Sequence, residues 1–208
     1  MLVISIAGGS ASGKTTVAKS IIEIMASKNI HDRVSFINMD SYYIDLSDIR
    51  LEERKKINFD HPNSIDWELL YEHLEDLLNM KPIKKPVYSY AEYTRSNIYE
   101  VVYPNSVIIV EGLFALYDEK IRKISNIKIF VEAPDDIRLI RRIYRDIKER
   151  ERSIDEIIEQ YLNFVRPMYV EFIEPTKKYA DIIIQNERNF NAALELLTAI
   201  VEKHTVWI

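Results

Sequence analysis

The chain contains 208 residues, of which 47% are hydrophobic and 29% are charged. These proportions are typical of a globular protein and exclude a disordered tail, a collagen-like chain and a membrane bundle. The net charge of −5 disfavours a dedicated nucleic-acid-binding protein, and the absence of cysteine excludes a disulfide framework and a thiolate metal site.

Short β-branched runs alternate with amphipathic segments along the chain. The predicted strands are residues 2–7, 34–38, 107–110, 127–131 and 182–184, and a projecting hairpin at about 87–103 pairs residues 87–90 with 98–103. The predicted helices are residues 14–29, a helix capped by Asn63 or Ser64, an arginine-rich helix opened by Pro134, a helix from Ser153, and residues 190–203. Residues 40–62 are expected to form a loop with a turn or two.

This alternation predicts an α/β fold with a doubly wound, mainly parallel sheet. No linker is visible, so we expect residues 1–208 to form a single domain. The helix from Ser153 should bury Ile157, Ile158, Tyr161, Leu162 and Val165, and should bend or end near Pro167.

The apolar N-terminus is short and runs into Gly8, so a strand is expected there instead of a signal peptide. No apolar run approaches the roughly 20 residues of a membrane span.

Glycine is unusually rare, and its placement points to one segment. The chain has four glycines, whereas average usage would give about 15. Three of the four, Gly8, Gly9 and Gly13, fall within six residues. Residues 8–13 are therefore expected to be a place where a side chain does not fit.

Residues 8–15 match the pattern G-x-x-x-x-G-K-[ST] between a predicted strand and a predicted helix, which is the context this phosphate-binding motif requires. Backbone N–H groups and the helix N-terminus favour phosphate oxygens there, Lys14 should reach the β- and γ-phosphates, and the Thr15 hydroxyl should bind Mg²⁺. The alternative is a plain glycine-rich turn. The predicted ATP-binding residues are Gly8, Gly9, Ser10, Ala11, Ser12, Gly13, Lys14, Thr15 and Thr16.

A second sequence signal supports this site: a carboxylate residue follows the predicted strand at 107–110. Glu111 at the end of a buried strand beside the phosphate loop (residues 8–15) would hold Mg²⁺ or its water shell; the alternative is an acid facing solvent. Together these features predict a nucleoside-triphosphate site. Neither an N-K-x-D nor a D-x-x-G string occurs, which disfavours a GTPase and favours a small kinase.

Asp40 lies just after the second predicted strand, where doubly wound sheets bind ligands. It is a candidate to accept or orient the proton of an acceptor hydroxyl. The alternative is that Asp40 forms an Asx turn that closes the strand.

Several strings together resemble the uridine kinase (uridine–cytidine kinase) family of P-loop nucleoside kinases. They are Asp-Ser-Tyr-Tyr at 40–43, Asn-Phe-Asp-His-Pro at 58–62, Tyr-Ser-Tyr at 88–90, Tyr-Thr-Arg at 93–95, Glu-Gly at 111–112, Arg-Arg at 141–142 and Pro-Thr-Lys-Lys-Tyr-Ala-Asp at 175–181. The resemblance implies transfer of the γ-phosphate of ATP or GTP to the 5′-hydroxyl of uridine or cytidine. It also implies Mg²⁺, a cytoplasmic role in pyrimidine salvage, and a homotetramer.

The resemblance also implies roles for individual residues. Asp40 would be the catalytic base with Tyr43 beside it, and Asp60 would accept the ribose hydroxyls. Phe59 and Tyr90 would pack on the base, and Tyr88 would contact its edge. The alternatives are a core position for Phe59 and an ordinary strand position for Tyr88.

Arginines on the helix after Pro134 are expected to form a lid at about 136–152. Arg138, Arg142 and Arg145 share a helix face, and guanidinium groups match phosphate geometry. The resemblance implies that Arg142 reaches the ribose, that Arg145 and Arg150 reach the phosphates, and that Arg152 and Gln160 reach the nucleoside. The alternative is a solvated face paired with Asp146, Glu149 and Glu151, and it is the favoured interpretation for Arg138 and Arg141.

The chain departs from the family pattern in three places. Glu151 replaces the glycine of Arg-Gly-Arg, which affects the hinge of the lid. Gln-Asn-Glu-Arg at 185–188 replaces a Pro-Arg-Gly-Gly-like loop that borders the donor base, which leaves the choice between ATP and GTP open. Tyr93 stands where many members have histidine and would favour cytidine over uridine, unless its hydroxyl rotates to accept both.

The sequence therefore predicts a pyrimidine ribonucleoside kinase with Asp40, Lys14, Arg145 and Arg150 as catalytic residues. Its expected partners are a small nucleoside and a nucleoside triphosphate, with no nucleic acid and no membrane. The alternatives are a phosphoribulokinase-like or pantothenate-kinase-like enzyme, and a nucleotide-dependent switch that transfers nothing.

Overall fold

The computed structural model of the chain describes residues 1–27, 34–187 and 190–206. Its strands are β1 (Leu2–Gly8), β2 (Val34–Asn38), β3 (Ile83–Ser89), β4 (Thr94–Val102), β5 (Val107–Glu111), β6 (Ile127–Glu132) and β7 (Ile182–Gln185). Its helices are α1 (Lys14–Ser27), α2 (Leu51–Arg54), α3 (Trp67–Leu78), α4 (Glu119–Ile124), α5 (Asp135–Arg150), α6 (Ile154–Gln160), α7 (Arg166–Met168) and α8 (Asn191–Val206).

Five strands form a parallel sheet in the order β2-β5-β1-β6-β7, which confirms the predicted α/β fold. β1 lies at the centre, and its neighbours β5 and β6 occur later in the chain. Asn38 at the end of β2 is the register partner of Glu111 at the end of β5. The carboxyl ends of these strands therefore meet at one edge, where open α/β sheets bind ligands.

The sheet is buried on both faces, because successive side chains of each strand point to opposite sides. Along β5, Val107 and Ile109 belong to one core cluster, and Ile108 and Val110 belong to the other. The first cluster is completed by residues of α1 and α8, among them Ile21. The second is completed by residues of α3. Within the described residues, no helix combines the length and apolarity needed to cross a bilayer.

α1 and α8 both pack an apolar face into the core, since Val17, Ile21, Leu197 and Val201 are buried. The predicted end of the first helix at residue 29 lies outside the described residues. The predicted cap of α3 is wrong: Asp66 precedes the helix and its carboxylate accepts from the Leu69 N–H.

The helix from Ser153 begins with the predicted capping box, in which Ser153 and Glu156 exchange hydrogen bonds. The helix does not end at Pro167. Pro167 lies in α7, which continues the helical backbone between two π-helical segments, 161–165 and 169–173. The expected burial of Ile158 and Leu162 is wrong, since they are 42% and 56% exposed. The buried stripe is narrower than predicted and includes Ile157 and Val165.

The predicted hairpin is present, and it is longer than expected. β3 and β4 pair antiparallel from Ile83 opposite Val102 to Ser89 opposite Thr94, with a bulge between Pro86 and Tyr88. The segment predicted as a loop at 40–62 contains a 3₁₀ turn at 39–42 and the short helix α2.

The lid helix α5 starts after Pro134, as predicted, and ends at Glu151 in a left-handed conformation with φ of 54°. A non-glycine residue pays a steric cost there, because its Cβ crowds the carbonyl oxygen. A negative charge at a helix C-terminus is also unfavourable. Glu151 is therefore a locally strained end to the lid helix.

We expect Glu151→Gly to stabilise the fold by about 1 kcal/mol, because relief of the left-handed conformation outweighs the added chain entropy of glycine. Urea denaturation measures the change. Glu149→Gly is the control, because it removes the same charge inside the helix, where glycine costs about 1 kcal/mol. Equal destabilisation by the two substitutions would contradict the strain at Glu151.

Candidate active site

The phosphate loop joins β1 to α1 at the ligand-binding edge of the sheet. The Ser12 N–H donates to the Gly9 carbonyl at 3.1 Å, and Gly13 has a φ of +96°. Ala11 also adopts a left-handed conformation, with a φ of 60°. Lys14, the first residue of α1, is 9% exposed. The loop therefore has a tight turn, and its lysine is buried beside that turn.

Gly9 occupies a motif position that tolerates any residue, yet the structure leaves no room for a side chain there. A Cβ on Gly9 would lie 2.4 Å from a guanidinium nitrogen of Arg138 and 2.9 Å from the ring of Tyr169. The Arg138 guanidinium also lies over the Tyr169 ring, 3.9 Å from its centroid. The third clustered glycine is thus explained by packing against the lid helix.

Arg138 and Arg141 are not on a solvated helix face, so that expectation is wrong. Arg138 is 3% exposed and donates to the Ala133 carbonyl and the Asp135 carboxylate. Arg141 donates from Nη1 to the Asn186 carbonyl at 3.0 Å. The face of α5 that carries Arg138 and Arg142 packs against the phosphate loop, which helical spacing alone does not reveal.

Glu111 is almost completely buried at 1% exposure, so the alternative of a solvent-facing acid is wrong. Its Oε1 lies 3.8 Å from Lys14 Nζ, and its Oε2 accepts from the Asn38 amide at 3.3 Å. The Thr15 hydroxyl also hydrogen-bonds this carboxylate. Burial raises the pKa of Glu111 to about 7, and the charge of Lys14 opposes that rise.

Asp40 lies in the 3₁₀ turn that follows β2. The side chain that closes this turn belongs to Asn38, whose Oδ1 accepts from the Asp40 N–H at 2.7 Å. Asp40 Oδ2 accepts from the Tyr90 hydroxyl at 2.5 Å. The Asx turn offered as the alternative role of Asp40 is therefore made by Asn38.

A cavity beside Asp40, called here the aromatic cavity, brings together side chains from the loop after β2, the hairpin and the lid. Its lining is Ser10, Lys14, Asp40, Tyr43, Ile57, Phe59, Asp60, Tyr88, Tyr90, Tyr93, Leu113, Arg142, Arg145, Arg150, Arg152, Gln160 and Phe164. Every residue predicted to bind the nucleoside is among them. Their individual roles remain predictions.

Aromatic rings form one side of this cavity. The ring centroid of Tyr43 lies 5.2 Å from that of Phe59 and 5.0 Å from that of Tyr88, and the Phe59 and Tyr93 centroids are 6.2 Å apart. Phe59 packs against the core and also lines the cavity. Burial raises the pKa of Asp60, and the charge of Arg142 opposes the rise. The cavity thus offers flat apolar surface beside a carboxyl group.

The cavity is also lined by arginines arranged around Asp146, which is fully buried. Its carboxylate lies 3.6 Å from Arg142, 2.8 Å from Arg145, 3.6 Å from Arg150 and 3.4 Å from Arg152. Burial alone would raise the pKa of Asp146, but the arginines outweigh it and lower the pKa. The expected surface pairing of Asp146 is wrong, although its i, i+4 spacing to Arg142 and Arg150 is a sequence signal for the cluster.

A second cavity, called here the loop cavity, opens beside the phosphate loop. Its lining is Ala11, Gly13, Lys14, Thr15, Thr16, Lys19, Phe36, Asn38, Asp40, Tyr90, Glu111, Arg141, Arg145, Glu149, Arg150, Asn186 and Phe190. The residues shared with the aromatic cavity are Lys14, Asp40, Tyr90, Arg145 and Arg150. The two cavities therefore meet at Asp40, between the lysine of the loop and the arginines of the lid.

Four contacts around the two cavities are not predicted from the sequence. The Tyr90 ring lies beneath Arg150, 3.9 Å from its guanidinium carbon, while its hydroxyl donates to Asp40. Arg142 donates from Nη1 to the Ser10 hydroxyl at 2.9 Å. Asn186 donates from its side chain to the Ser12 carbonyl at 2.8 Å. These contacts join segments far apart in the chain, and no local pattern reports them.

Comparison with known proteins agrees with this architecture. A uridine kinase of Lactobacillus helveticus is 49% identical over 197 residues, which cover 95% of this chain and 92% of that protein. A uridine kinase of Halalkalibacterium halodurans is 48% identical over 209 residues, covering 99% and 97%. The structure of a putative fructose transport system kinase from Silicibacter sp. TM1040 superposes with a TM-score of 0.69 at 18% identity, covering 88% of each chain, and supports the fold alone.

The model of the phosphoribulokinase / uridine kinase family matches residues 3–192. This match spans the phosphate loop, the hairpin, the lid helix and all five strands of the parallel sheet. The chain belongs to the phosphoribulokinase / uridine kinase family.

Proposed function

We propose that this protein is a pyrimidine ribonucleoside kinase that transfers the γ-phosphate of a nucleoside triphosphate to the 5′-hydroxyl of uridine or cytidine. The observation that carries the proposal is the position of Asp40, which lines both cavities where they meet. A donor in the loop cavity and a nucleoside in the aromatic cavity would present their reacting groups to this carboxylate. Relatives named uridine kinase at 45–50% identity support the same substrate class.

The roles proposed for the site follow from charge and position. Backbone N–H groups of the phosphate loop and Lys14 bind the donor phosphates, and Asp40 accepts the proton of the 5′-hydroxyl. Arg145 and Arg150 line both cavities and neutralise the charge that develops on the transferred group. Burial disfavours the charged form of Arg150, but Asp146 and neighbouring acidic groups outweigh it and raise the pKa of Arg150. That guanidinium stays charged throughout turnover.

The nucleoside would lie against the ring faces of the aromatic cavity. We assign base packing to Phe59 and Tyr90, contact with the base edge to Tyr88 and Tyr93, and the ribose hydroxyls to Asp60. Arg142 would also reach the ribose. Arg152 and Gln160, which are joined by a 2.8 Å hydrogen bond, would contact the nucleoside from the lid side.

Mg²⁺ fits the hydroxyl and carboxylate oxygens present in the loop cavity. Thr15 and Glu111 both line it and supply the hard oxygen ligands that Mg²⁺ prefers, with phosphates and waters completing the shell. When bound, the ion neutralises charge on the donor phosphates. Ionised Glu111 is the form that binds a cation, and the adjacent Lys14 favours that form.

Finer features are proposed from the resemblance. We assign ATP or GTP as donor, one kinase domain over residues 1–208, a homotetrameric assembly and a cytoplasmic role in pyrimidine salvage. The resemblance puts residues 185–188 beside the donor base. Asn186 lines the loop cavity, and Arg188 lies outside the described residues. A donor comparison and sedimentation analysis test the nucleotide and the assembly.

Two other functions are less well supported. A phosphoribulokinase-like or pantothenate-kinase-like enzyme would not need the ring-lined cavity, and a nucleotide-dependent switch would not need an acceptor pocket. An assay with Mg-ATP and a panel of nucleosides, ribulose 5-phosphate and pantothenate separates them. Phosphorylation of uridine or cytidine is expected. Nucleotide binding without any phosphorylated product would overturn the proposal.

Asp40→Asn should lower kcat by about 10²–10⁴-fold, because general-base catalysis typically contributes that factor. ATP affinity should be unchanged, since the phosphate loop is untouched. Steady-state kinetics and calorimetry measure the two quantities, and Asp48→Asn on the exposed surface is the control. A variant that keeps more than a tenth of wild-type kcat would make Asp40 a structural residue.

Lys14→Ala should lower kcat/KM for ATP by about 10²-fold, because a preorganised charge facing the transferred phosphate is lost. Removal of Mg²⁺ with excess chelator should abolish turnover. Lys84→Ala in the hairpin provides the matched control, since Lys84 is exposed. Undiminished activity in chelator would exclude the proposed metal-assisted transfer.

Tyr93→His should narrow a preference for cytidine over uridine. A phenol fixed as an acceptor suits the cytosine amino group and opposes uracil O4, a mismatch worth roughly 1–3 kcal/mol, or about 5- to 150-fold. Tyr93 has a φ of 52°, and histidine is among the residues enriched there, so the turn is preserved. The test is to measure kcat/KM for cytidine and for uridine in the wild type and in the Tyr93→His variant. Equal wild-type values, or a ratio unchanged in the variant, would show that the hydroxyl rotates freely.

A further inference from the structure

Asn186, the first residue after β7, makes three hydrogen bonds, two through its backbone and one through its side chain. Its N–H donates to the Glu132 carbonyl at 2.7 Å, and its carbonyl accepts from Arg141 at 3.0 Å. Its side-chain Nδ2 donates to the Ser12 carbonyl at 2.8 Å. The residue is 6% exposed. The side-chain amide of Asn186 therefore contacts a carbonyl of the phosphate loop.

The contact with Ser12 determines which way the next N–H points. The Ser12 carbonyl and the Gly13 N–H belong to one planar trans peptide, so they point in opposite directions. A carbonyl held toward Asn186 turns the Gly13 N–H away from it. Phosphate loops bind their ligand through backbone N–H groups, so this orientation is part of a preorganised donor site.

The Asn186 side chain also occupies the space that a side chain at position 13 would need. A Cβ at this position would lie 1.9 Å from Asn186 Nδ2, and the φ of +96° is one that side chains rarely adopt. The second glycine of the motif is therefore required by the backbone and also by the amide that packs on it. Both Gly13 and Asn186 line the loop cavity.

The lid helix holds Asn186 from the other side. Arg141 Nη1 donates to the Asn186 carbonyl, and its Nη2 donates to the Glu187 carbonyl at 3.3 Å. Two hydrogen bonds from one planar guanidinium fix the 186–187 segment against α5. The position of the amide over the phosphate loop is thus set by the strand before it and by the lid helix.

We propose that Asn186 is a positioning residue of the donor site: its amide fixes the Ser12–Gly13 peptide so that the loop binds the phosphates of a nucleoside di- or triphosphate. The inference rests on the proposed donor site. Asn186 does not touch the reacting atoms, so its loss acts on nucleotide affinity and leaves the chemical step nearly unchanged.

The test uses Asn186→Ala and Asn186→Asp in the full chain. Alanine removes the donor without adding charge, and aspartate sets a carboxylate oxygen against the Ser12 carbonyl. We expect Kd for Mg-ADP, measured by calorimetry, to rise about 3- to 10-fold with alanine and more than 10-fold with aspartate. KM for ATP should follow, while kcat at saturating ATP and KM for the nucleoside stay within about threefold of wild type. Asn97→Asp, an exposed change in the hairpin, is the control.

An Asn186→Ala variant that binds Mg-ADP as tightly as wild type would overturn the inference. So would equal losses of nucleotide and nucleoside affinity, since those indicate general damage to the fold. If Asn186→Asp does not fold, the alanine variant alone decides. Mg-ADP binding needs no acceptor, so an Asn186-dependent affinity in a protein that phosphorylates no nucleoside would refute the proposed function and keep this inference.

Discussion

Four guanidinium groups around a single buried carboxylate form the constraint on which the rest of the site depends. Asp146 is fully buried, and Arg142, Arg145, Arg150 and Arg152 lie within 3.6 Å of it. Removing one partner from a buried charge cluster is costly, because the remaining charges stay desolvated. Asp146 therefore has to remain ionised to hold the arginines together. One carboxylate cannot neutralise four cations, and the charges of Asp40 and Asp60 act on Arg150 and Arg142 in addition.

The lid helix is packed on the phosphate loop at several points along its length. Arg138 lies against Gly9, Arg142 donates to Ser10, and Arg141 holds the segment whose amide contacts Ser12. Because helical spacing brings these arginines to one side of α5, successive turns contact successive loop residues. Contacts from α5 and from Asn186 thus hold the phosphate loop in place in the absence of a ligand. Electrostatic stabilisation is most effective when its donors need no reorganisation during the reaction, and this bracing is how the fold provides that condition.

The sequence predicted the elements whose signals are local. The phosphate loop, the alternating strands and helices and the Ser153 capping box each depend on neighbours within a few residues. The failures arise where distant segments decide the outcome. Arg138 is buried against Tyr169 and Gly9, which no local pattern reports. Leu162 is exposed because the buried stripe of its helix is narrower than the apolar pattern suggests. The membership of the aromatic cavity came from a family resemblance, since no spacing rule joins residues 40, 59, 88 and 152.

Tyr90 shows how a residue of the hairpin can govern chemistry at the sheet edge. Its hydroxyl donates to Asp40, and the guanidinium of Arg150 stacks on its ring. Burial raises the pKa of Tyr90, with the charge of Asp40 adding to the effect, so the phenol remains a donor over the physiological range. A donor on Oδ2 restricts rotation of the Asp40 carboxylate. The orientation of the proposed base thus depends on the docking of the hairpin, and the same ring contacts the lid. Tyr90 therefore joins the hairpin, the proposed base and helix α5 through one side chain.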